Sequence, residues 1–557
     1  MLLKRLKKLW TLIRREGFFS AAHLFYSILG YGLQKRALRF LNRWQKQLYP
    51  GWRARHQRRL ARLPRVKTGP LFSIYLPGSG PGAALTLDSL RAQVYPNWEA
   101  WVSGPEIPIR DARIHLISDG LPALNGSFAA WLEPGDALAP AALNRLAAAL
   151  ERQDADVIYF DEEFPAAGGG WQPLFKPDFS PELLLSTNYL RGAFTRTALF
   201  QQHFADPETL TWRLVEHGAR ICHLPELLYR RSRPENPSGR IPAAAQHLAR
   251  LGLQRVKVEL SGGQIRASWA TAKKVTIVIP TRNNLALLRR CLDSLFAKTR
   301  YPHFEVVLVD NASTDPAVFA YYDRITAEKK VRVLKYTDAF NFSAYCNRGA
   351  AQSERDVVLF LNNDVEIIDP AWLEQMVQWF ELPETGMVGA RLLYPDGTLQ
   401  HAGVVIGLEG HAGHVFNGLA EGASGVFGSA GWYRNYLTQT AACVALRRGL
   451  FEQVGGFDER YLLVFNDMHL GLKVVKAGFR VIHTPFARLI HYEGKSRAKY
   501  NPPEDIRLGC EHARAWAQRG DPFFNPNLSY IVSTPMIRWL PEDPPLLKLE
   551  KITRFFG

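Results

Sequence analysis

Two stretches about 200 residues apart follow the same order of elements, and this repetition constrains the fold more than any other feature of the sequence. From Leu71 the chain reads LFSIYLP, then an L-D-S-L helical pattern, a Y-P turn and WEAWVSG. From Val275 it reads VTIVIP, then the same L-D-S-L and Y-P patterns, and FEVVLVD. A period of domain length indicates an internal duplication and excludes a solenoid of short repeats. We therefore expect two domains of one fold, since 557 residues are also too many for a single core.

The second repeat alternates between apolar strands and helices. Strands are expected at residues 275–280, 304–310, 331–336 and 357–361, and helices at residues 285–298, from about 343, and from 370 to about 382. Near-continuous apolar strands separated by helices are typical of a parallel sheet that is covered on both faces. We expect an α/β fold of this kind.

The excess positive charge lies entirely in the first 70 residues. They hold 18 of the 69 lysines and arginines but a single acid, Glu16, so the rest of the chain carries 51 basic and 51 acidic residues. A body without net charge argues against nucleic acid as the partner. The five cysteines are scattered without CxxC spacing, which favours a reducing compartment such as the cytosol and indicates neither a disulfide framework nor a zinc site.

The basic segment at residues 1–70 is expected to form a helical arm. Residues 1–15 mix leucines and a tryptophan with six basic residues at roughly helical spacing, and an uncharged run of 18 residues follows at 17–34. Such a run is compatible with a membrane-spanning helix, with an interfacial helix, or with a basic helix packed on the body. We expect an interfacial helix on an anionic membrane surface, because basic segments are attracted to such surfaces. No A-x-A-like site follows the apolar part, which disfavours a signal peptide.

Polar residues stand at the ends of successive strands in the second half. They read PTRNN from Pro280, DNASTD from Asp310 and NND from Asn362, and FNFSAYCNRGA from Phe340 lies between the last two. In open α/β sheets, ligands bind beyond the carboxyl ends of the strands. Carboxylate and amide oxygens at this edge suit a nucleotide and a hard cation such as Mg²⁺ or Mn²⁺. Neither GxGxxG nor a Walker loop is present.

Residues from about 274 to 530 resemble the family 2 glycosyltransferases, which are inverting enzymes of the GT-A fold that use nucleotide-activated sugars. The resemblance rests on VTIVIPTRN from Val275, VDNASTD from Val309, FNFSAYCNRGA from Phe340, LNNDVEI from Leu361, VGGFDER from Val454, FND from Phe465 and HYEGKSR from His491. The chain is most similar to the bacterial subgroup that builds O-antigen or related surface polysaccharide, which is rhamnosyltransferase-like. The resemblance implies two GT-A (nucleotide-diphospho-sugar transferase, Rossmann-like) domains in tandem, preceded by the basic arm.

The resemblance also assigns roles to residues. Asp467 matches the general base that takes the proton from the acceptor hydroxyl. Asp364 matches the last acid of a metal-binding DxD motif, and His491 a histidine near the diphosphate or metal, so both are predicted to bind Mg²⁺ or Mn²⁺. The predicted donor-binding residues are Pro280, Thr281, Arg282, Asn283, Asp310, Asn311, Asn347, Asn362, Asn363, Asp364, Lys495 and Arg497.

Two segments near the predicted base depart from the subgroup. Asn466-Asp467-Met468-His469 has a histidine where an acid is usual, and the Ala441 of Thr440-Ala441-Ala442-Cys443 replaces a glycine. Asp458 in the GGFDER stretch is a rival base, although this stretch more often shapes a turn. The departures concern the acceptor side, and they leave a non-catalytic scaffold of a polysaccharide-assembly complex as the alternative.

The first half resembles the same fold in degraded form. Where such domains carry a D-x-D-D stretch it has Glu133-Pro134-Gly135-Asp136, and PETLTWRLVEHG from Pro207 has neutral residues at the expected late acids. The predicted organisation is therefore an arm at 1–70, a degenerate GT-A-like domain at 71–255, a catalytic GT-A domain at 272–530 and a tail at 531–557. The expected partners are a UDP- or dTDP-sugar, dTDP-rhamnose among them, a saccharide or lipid-linked acceptor, and the inner face of the bacterial inner membrane.

Overall fold

The computed structural model describes residues 33, 36–105, 111–118, 120–329, 331–492 and 501–556. Nearly all of the uncharged run at 17–34 lies outside these residues, as do two predicted donor-binding residues, Lys495 and Arg497. Within the described part of the chain, no helix is both long enough and apolar enough to cross a membrane.

The first half is built on a nine-stranded sheet. Its strands are β1 (Phe72–Leu76), β2 (Trp98–Ser103), β3 (Ile114–Ile117), β4 (Phe128–Trp131), β5 (Ala137–Leu138), β6 (Val157–Pro165), β7 (Trp171–Leu174), β8 (Phe194–Arg196) and β9 (Ile221–Arg230). The arm helix α1 (Gln45–Ala61) comes before it, and its other helices are α2 (Pro81–Arg91), α3 (Ala142–Leu150), α4 (Thr197–Gln202), α5 (Pro207–Glu216) and α6 (Ile241–Arg250). A separate hairpin of β10 (Lys257–Ser261) and β11 (Gln264–Ser268) leads to the second half.

The second half is built on a ten-stranded sheet. Its strands are β12 (Val275–Thr281), β13 (Phe304–Asn311), β14 (Val331–Tyr336), β15 (Val357–Leu361), β16 (Val365–Ile367), β17 (Thr385–Leu393), β18 (Leu399–His401), β23 (Arg434–Tyr436), β24 (Cys443–Arg447) and β25 (Arg480–His491). Two small hairpins pair β19 (Val404–Ile406) with β20 (Ala412–His414) and β21 (Ser424–Gly425) with β22 (Gly428–Ser429). The helices are α7 (Leu285–Lys298), α8 (Pro316–Glu328), α9 (Phe342–Ala350), α10 (Trp372–Val377), α11 (Arg448–Gln453), α12 (Asn466–Lys476), α13 (Pro503–Arg519) and α14 (Pro545–Phe556).

The two sheets share one topology. The first runs β3-β2-β1-β4-β8-β6-β9-β5, and the second runs β14-β13-β12-β15-β24-β17-β25-β16, so each strand has a counterpart at the same place in the path. An identical order over eight strands confirms the tandem α/β architecture that the sequence repetition predicted.

The sheet is parallel over the four predicted strands, as expected, but mixed as a whole. The strands β12, β13, β14 and β15 are parallel, but β24 pairs antiparallel with both β15 and β17, and β16 pairs antiparallel with β25. The physical reason lies in the connections, because beyond residue 382 regular strand–helix alternation gives way to short strands and hairpins. Parallel neighbours need a long crossover, whereas antiparallel neighbours do not. The helix expected at 370–382 is also shorter, since α10 ends at Val377 and a 3₁₀ helix, Gln378–Glu381, follows.

The halves pack against each other through a shared core and buried polar contacts. One cluster of buried side chains includes Trp212 of the first half and Val275 of the second. The amide of Asn525 donates to the carboxylate of Asp161 at 2.9 and 3.0 Å, and Arg480 pairs with Glu182 at 2.9 Å. The hairpin β10–β11 lies between the two sheets in sequence, and the domain limits at 71–255 and 272–530 stay predictions.

The ends of the described chain also pack on the body. Helix α1 buries Tyr49, His56 and Leu60, and the Tyr49 hydroxyl donates to Glu163 at 2.6 Å. In the segment expected as a tail, helix α14 places Leu549 in a cluster with side chains of α13. Helix α1 is therefore docked on the first half, and Leu38, which precedes it, packs against Ile531, Val532 and Met536.

Candidate active site

A cavity of about 550 Å³ opens where β12, β13 and β15 end. Nine of the predicted site residues line it, namely Pro280, Thr281, Arg282, Asn311, Asn362, Asn363, Asp364, Asp467 and His491. Another cavity, of about 520 Å³, lies between α1, β7 and residues 416–428, and no acidic side chain lines it. Of these two cavities, only the first is lined by described carboxylates, which are those of Asp364 and Asp467.

Asp364 and His491 form a buried pair on one wall of this cavity. Strand pairing places Val365 opposite His491, so the preceding carboxylate meets the imidazole, with 3.2 Å between Oδ1 of Asp364 and Nε2 of His491. Asn362 Nδ2 lies 3.4 Å from the same nitrogen. The other ring nitrogen, Nδ1, is buried and has no hydrogen-bond partner among the residues that the structure describes. The Nε2 atom of His491, the carboxylate of Asp364 and the amide side chain of Asn362 together offer nitrogen and oxygen donors that fit a divalent cation.

Asp467 lies on a second wall, in the first turn of α12. Its Oδ2 accepts a hydrogen bond from the main-chain N–H of Ala441 at 3.0 Å, and its Oδ1 accepts one from the N–H of Met468 at 2.8 Å. The next residue, Ala442, accepts from the N–H of Asn362 at 3.0 Å. Ala441 and Ala442, which directly precede β24, therefore connect the Asn362–Asp364 segment to Asp467. The carboxylates of Asp364 and Asp467 line the same cavity.

A buried carboxylate that the sequence did not single out holds the loop before Asp467. Asp505 is completely buried, and it accepts main-chain hydrogen bonds from Leu462 at 3.0 Å, Leu463 at 2.8 Å and Val464 at 2.9 Å. The following residue, Phe465, has a φ of 63°, a left-handed conformation that a bulky residue adopts only when its surroundings impose it. Three consecutive N–H groups on one carboxylate fix this turn and, through it, the start of α12.

Three predicted donor-binding residues do not line the cavity and instead shape its surroundings. Asp310 accepts hydrogen bonds from the main-chain N–H of Ser313 at 3.1 Å and the hydroxyl of Tyr322 at 2.7 Å. This burial and contact raise the pKa of the tyrosine well above its usual value. Asn283 accepts from the N–H of residue 314 at 2.8 Å. Asn347 bridges to the main chain of residue 457, with bonds of 2.8 and 2.9 Å. Their predicted contacts with a nucleotide stay predictions.

Several residues of the cavity lining were missed. They include Phe340, Phe342, Tyr345, Gln400, Val404, Ala412, His414, Leu463, Val464 and Asn501. Gln400 and His414 come from the hairpin region between β17 and β24, where the short strands give no clear periodicity. Tyr345 lies inside the quoted FNFSAYCNRGA stretch, so its aromatic side chain could have been selected as a lining residue.

In the first half, the corresponding positions lack the same chemistry. Strand β1 pairs with β4 in the register in which β12 pairs with β15, and counting from these pairs places Gly135 where the second half has Asp364. The same counting through β2 and β13 places Gly104 at the position that corresponds to Asp310 in the second half. Gly135 lies within the Glu133–Asp136 stretch that the sequence comparison singled out, and the side chain of Asp136 accepts a hydrogen bond from the N–H of Ser232 at 2.8 Å.

The two remaining positions are also changed. The pairing of β6 with β9 and of β17 with β25 places Arg231 where the second half has His491, and its guanidinium pairs with Glu162 at 3.0 Å. Counting back from the matching ends of α5 and α12 places Pro207 at the position of Asp467. The cavity at this edge of the first sheet has only about 30 Å³.

Comparison with known proteins gives the family. Residues 276–455 match the model of glycosyl transferase family 2, so the family prediction is confirmed. An O-antigen biosynthesis protein of Myxococcus xanthus is 36% identical in an alignment of 567 positions that covers 91% of this chain and 44% of that protein. An uncharacterized protein of Sinorhizobium fredii is 34% identical over 565 residues, 88% of this chain and 62% of that protein. An O-antigen chain rhamnosyltransferase of Salmonella typhimurium is 27% identical over 259 residues, 44% of this chain and 75% of that protein. The chain thus spans about half the length of the first two relatives.

Proposed function

Because residues 276–455 form a glycosyltransferase family 2 domain, we propose that this chain transfers a sugar from a nucleoside diphosphate donor to a saccharide or lipid-linked acceptor, with inversion, in the synthesis of cell-surface polysaccharide. The observation that carries the proposal is the single cavity in which the Asp364–His491 pair and Asp467 lie on different walls. Inverting transfer needs charge stabilisation on the diphosphate side and a base on the acceptor side.

Asp467 is the proposed base. It takes the proton of the acceptor hydroxyl while that oxygen forms a bond to the anomeric carbon and the bond from this carbon to the diphosphate breaks. Two main-chain N–H groups, of Ala441 and Met468, hold the carboxylate, and each oxygen keeps a lone pair for the acceptor. Fixed hydrogen bonds keep a base in its reactive position, which contributes to the rate of a bimolecular step.

The donor is proposed to lie along the ends of β12, β13 and β15. Thr281 accepts a hydrogen bond from the side chain of Asn363 at 3.0 Å, so two of the strand ends are tied together beneath this part of the cavity. Arg282 is exposed at the rim and supplies positive charge for a diphosphate. Lys495 and Arg497 are proposed to add to it. A UDP- or dTDP-sugar is the proposed donor, and dTDP-rhamnose is included because one relative is named a rhamnosyltransferase.

Asp364 and His491 would hold Mg²⁺ or Mn²⁺, with the amide oxygens of Asn362 and Asn363 beside them. The Nε2 atom of His491, which lies 3.2 Å from the buried carboxylate of Asp364, and that carboxylate fit such an ion. When bound, a divalent cation supplies stabilisation of the negative charge that develops on the leaving diphosphate.

The arm is proposed to hold the chain at the inner face of the bacterial inner membrane. Helix α1 docks one face on the body and leaves Arg55, Arg58 and Arg62 exposed. Just before it, the aromatic side chains of Phe40 and Trp44 are 60% and 49% exposed. Exposed aromatic residues among arginines are suited to the headgroup region of an anionic bilayer.

The test is nucleotide release from purified protein with a panel of UDP- and dTDP-sugars, with and without EDTA. We expect Asp467→Asn to lower kcat by about 10²–10⁴-fold, the range for loss of a general base, and Asp364→Ala to raise the Mn²⁺ concentration that half-saturates the rate. Asp88→Asn, an exposed carboxylate on the first half, is the matched control and should retain the wild-type rate.

The same purified protein can also be used to distinguish the proposed function from the alternative, a non-catalytic scaffold. A scaffold need not bind nucleotide sugars, so calorimetry with the panel plus Mn²⁺ would show no heat of binding. Wild-type kcat in Asp467→Asn would remove this residue from the mechanism.

A further inference from the structure

The second large cavity lies where three parts of the chain meet, outside the candidate active site. Its volume is about 520 Å³, close to the 550 Å³ of the cavity that holds Asp364 and Asp467. Helix α1 with the residues just before it, strand β7 and residues 416–428 line it. Volumes of about 300–1,000 Å³ are typical of small-ligand sites. We propose that this cavity binds a saccharide segment of the acceptor polysaccharide, away from the end that receives the new sugar.

Most polar groups of the lining can both donate and accept hydrogen bonds. The lining includes the amides of Asn42, Gln45 and Gln172 and the hydroxyls of Ser424 and Thr534, and it includes no carboxylate of the described residues. Sugar hydroxyls likewise donate and accept, so amides and hydroxyls suit them. A lining without carboxylates does not suit a hard metal ion. An alkyl chain would bury these groups without partners, which is unfavourable.

Aromatic side chains supply the apolar part of the lining. Trp171 is 37% exposed, and the guanidinium of Arg230 lies over its ring with 4.1 Å between Cζ and the ring centroid. The hydroxyl of Tyr49 donates to Glu163 at 2.6 Å, so its ring is the part that remains for the cavity. Ligand sites usually combine such aromatic surface with a few polar groups. The lining therefore suits both the hydroxyls of a sugar and the C–H groups on its ring faces.

The charges around the cavity are positive at its rim and paired beneath it. Glu163 is buried and pairs with Arg53 at 2.9 Å and with Arg230 at 2.7 Å. Lys46 is exposed and belongs to the lining. Because the acid is buried and paired, an acidic sugar residue would not be repelled, and the ammonium of Lys46 could pair with it.

A glycine loop brings main chain to the cavity. Gly169 and Gly170 line it with φ of 87° and 79°, left-handed conformations that favour glycine. The N–H of Gly169 donates to the carbonyl of Ala166, and the N–H of Ala166 donates to the carbonyl of Gly170, both at 3.0 Å, which closes the loop. A Cβ added at either glycine would meet no heavy atom within 4 Å. A loop without side chains lets a ligand approach the main chain closely.

The position of the cavity gives it a role. Phe416 lines this cavity, and His414, two residues earlier, lines the candidate active site. Two residues of extended chain span at most about 7 Å. A saccharide chain that extends past His414 would therefore meet the second cavity across one short segment. This role rests on the proposed function, because it requires an acceptor in the candidate active site.

The test is calorimetry of the full chain with lipid-free oligosaccharides that mild acid releases from the surface polysaccharide of the source strain. Gly425 lines the cavity, and a Cβ added there would meet no heavy atom within 4 Å. We expect Gly425→Phe, which fills the space, and Trp171→Ala, which removes the ring, each to weaken binding by about tenfold or more. Gly422→Phe is the matched control, because Gly422 lies in the same loop, outside the lining, with equal room. It should bind as the wild type does.

Weaker binding in the two cavity variants, with circular dichroism showing that at least one of them is folded, supports the site. No binding to the wild type, wild-type binding in both cavity variants, or an equal loss in Gly422→Phe would overturn it. Loss in Asp467→Asn alone would place the saccharide in the candidate active site and would also overturn it. Decyl phosphate and inorganic phosphate are titrated separately. If the cavity variants abolish binding of one of them while the oligosaccharides do not bind, the cavity takes an alkyl chain or an anion instead.

Nucleotide release without acceptor is measured on the same proteins. We expect Gly425→Phe to release nucleotide at the wild-type rate, because Gly425 lies outside the candidate active site. Normal release without oligosaccharide binding would refute the site alone, whereas oligosaccharide binding without release would count against the proposed activity alone.

Discussion

Asp505→Asn tests whether the loop before Asp467 is held in place from outside the cavity. The wild-type carboxylate is fully buried and accepts three consecutive main-chain N–H groups, of Leu462, Leu463 and Val464. Asparagine has nearly the same shape but carries one acceptor oxygen, and its NH₂ group would face a donor. We expect the variant to fold, because the substitution affects the hydrogen bonds of one loop only. We also expect this loop to be held less firmly than in the wild type.

The magnitude follows from the number of bonds that change. Hydrogen bonds to a charged group contribute about 1.5–3 kcal/mol each. If the amide oxygen keeps the bonds of Leu463 and Val464, the bond of Leu462 is lost and two donors oppose each other. The loss is therefore about 2–4 kcal/mol for the loop. Each 1.4 kcal/mol corresponds to a tenfold change in an equilibrium, so the population with Asp467 in place, and with it kcat, should fall by up to about 30- to 700-fold.

Nucleotide release measured against donor concentration is the assay. The donor-side residues Arg282, Asn311 and Asp364 belong to other elements, so we expect the KM for the donor to stay within about twofold while kcat falls. Glu504→Gln is the matched control, because this neighbouring acid is exposed and pairs with Arg507 on the same helix. Wild-type kcat in Asp505→Asn, or an equal fall in Glu504→Gln, would refute the reasoning.

Two further predictions concern the ends of the chain. In co-sedimentation with anionic vesicles, serine at both Phe40 and Trp44 should weaken binding by about tenfold or more, since each exposed ring contributes about 1.5 kcal/mol or more when buried. Serine at Leu116, which is 49% exposed on the first half, should change nothing, and equal pelleting of all three proteins would contradict the proposal. Burial raises the pKa of Asp521 to about 7 from 3.8, so the folded state keeps a proton that the unfolded state releases, and stability should fall by about 4 kcal/mol as pH rises from 4 through 7. Melting temperatures at pH 4 and pH 8 should show this fall in the wild type and not in Asp521→Asn, and parallel pH profiles would count against it.

The sequence predicts the regular part of the fold well and the irregular part poorly. The predicted strands at 331–336 and 357–361 and the predicted helix at 285–298 agree with the observed bounds of β14, β15 and α7. Their apolar runs and helical spacing are long enough to be read locally. The antiparallel second part of each sheet escaped prediction, because its strands are short and their partners are chosen by packing across the sheet rather than by local pattern.

The same division holds for the site. Residues at strand ends, such as Thr281 and Asp364, could be predicted because a strand that stops at the sheet edge must place its next polar residues in the crevice. Asp505 could not, since its role depends on a loop about 40 residues earlier in the chain that folds back onto it. His414 likewise reaches the cavity through a hairpin whose position the sequence does not reveal.

The two halves share one topology but differ in the side chains at corresponding positions of the candidate site. They share a strand order over eight strands, yet Gly135 and Pro207 have no side chain able to bind a cation or accept a proton at the places of Asp364 and Asp467. Arg231, in the place of His491, brings a positive charge that Glu162 neutralises. Restoring one residue would leave a cavity of about 30 Å³, too small for a nucleotide. The first half therefore lacks both these side chains and the space of the second-half cavity, and the two halves meet through buried contacts such as Asn525 with Asp161.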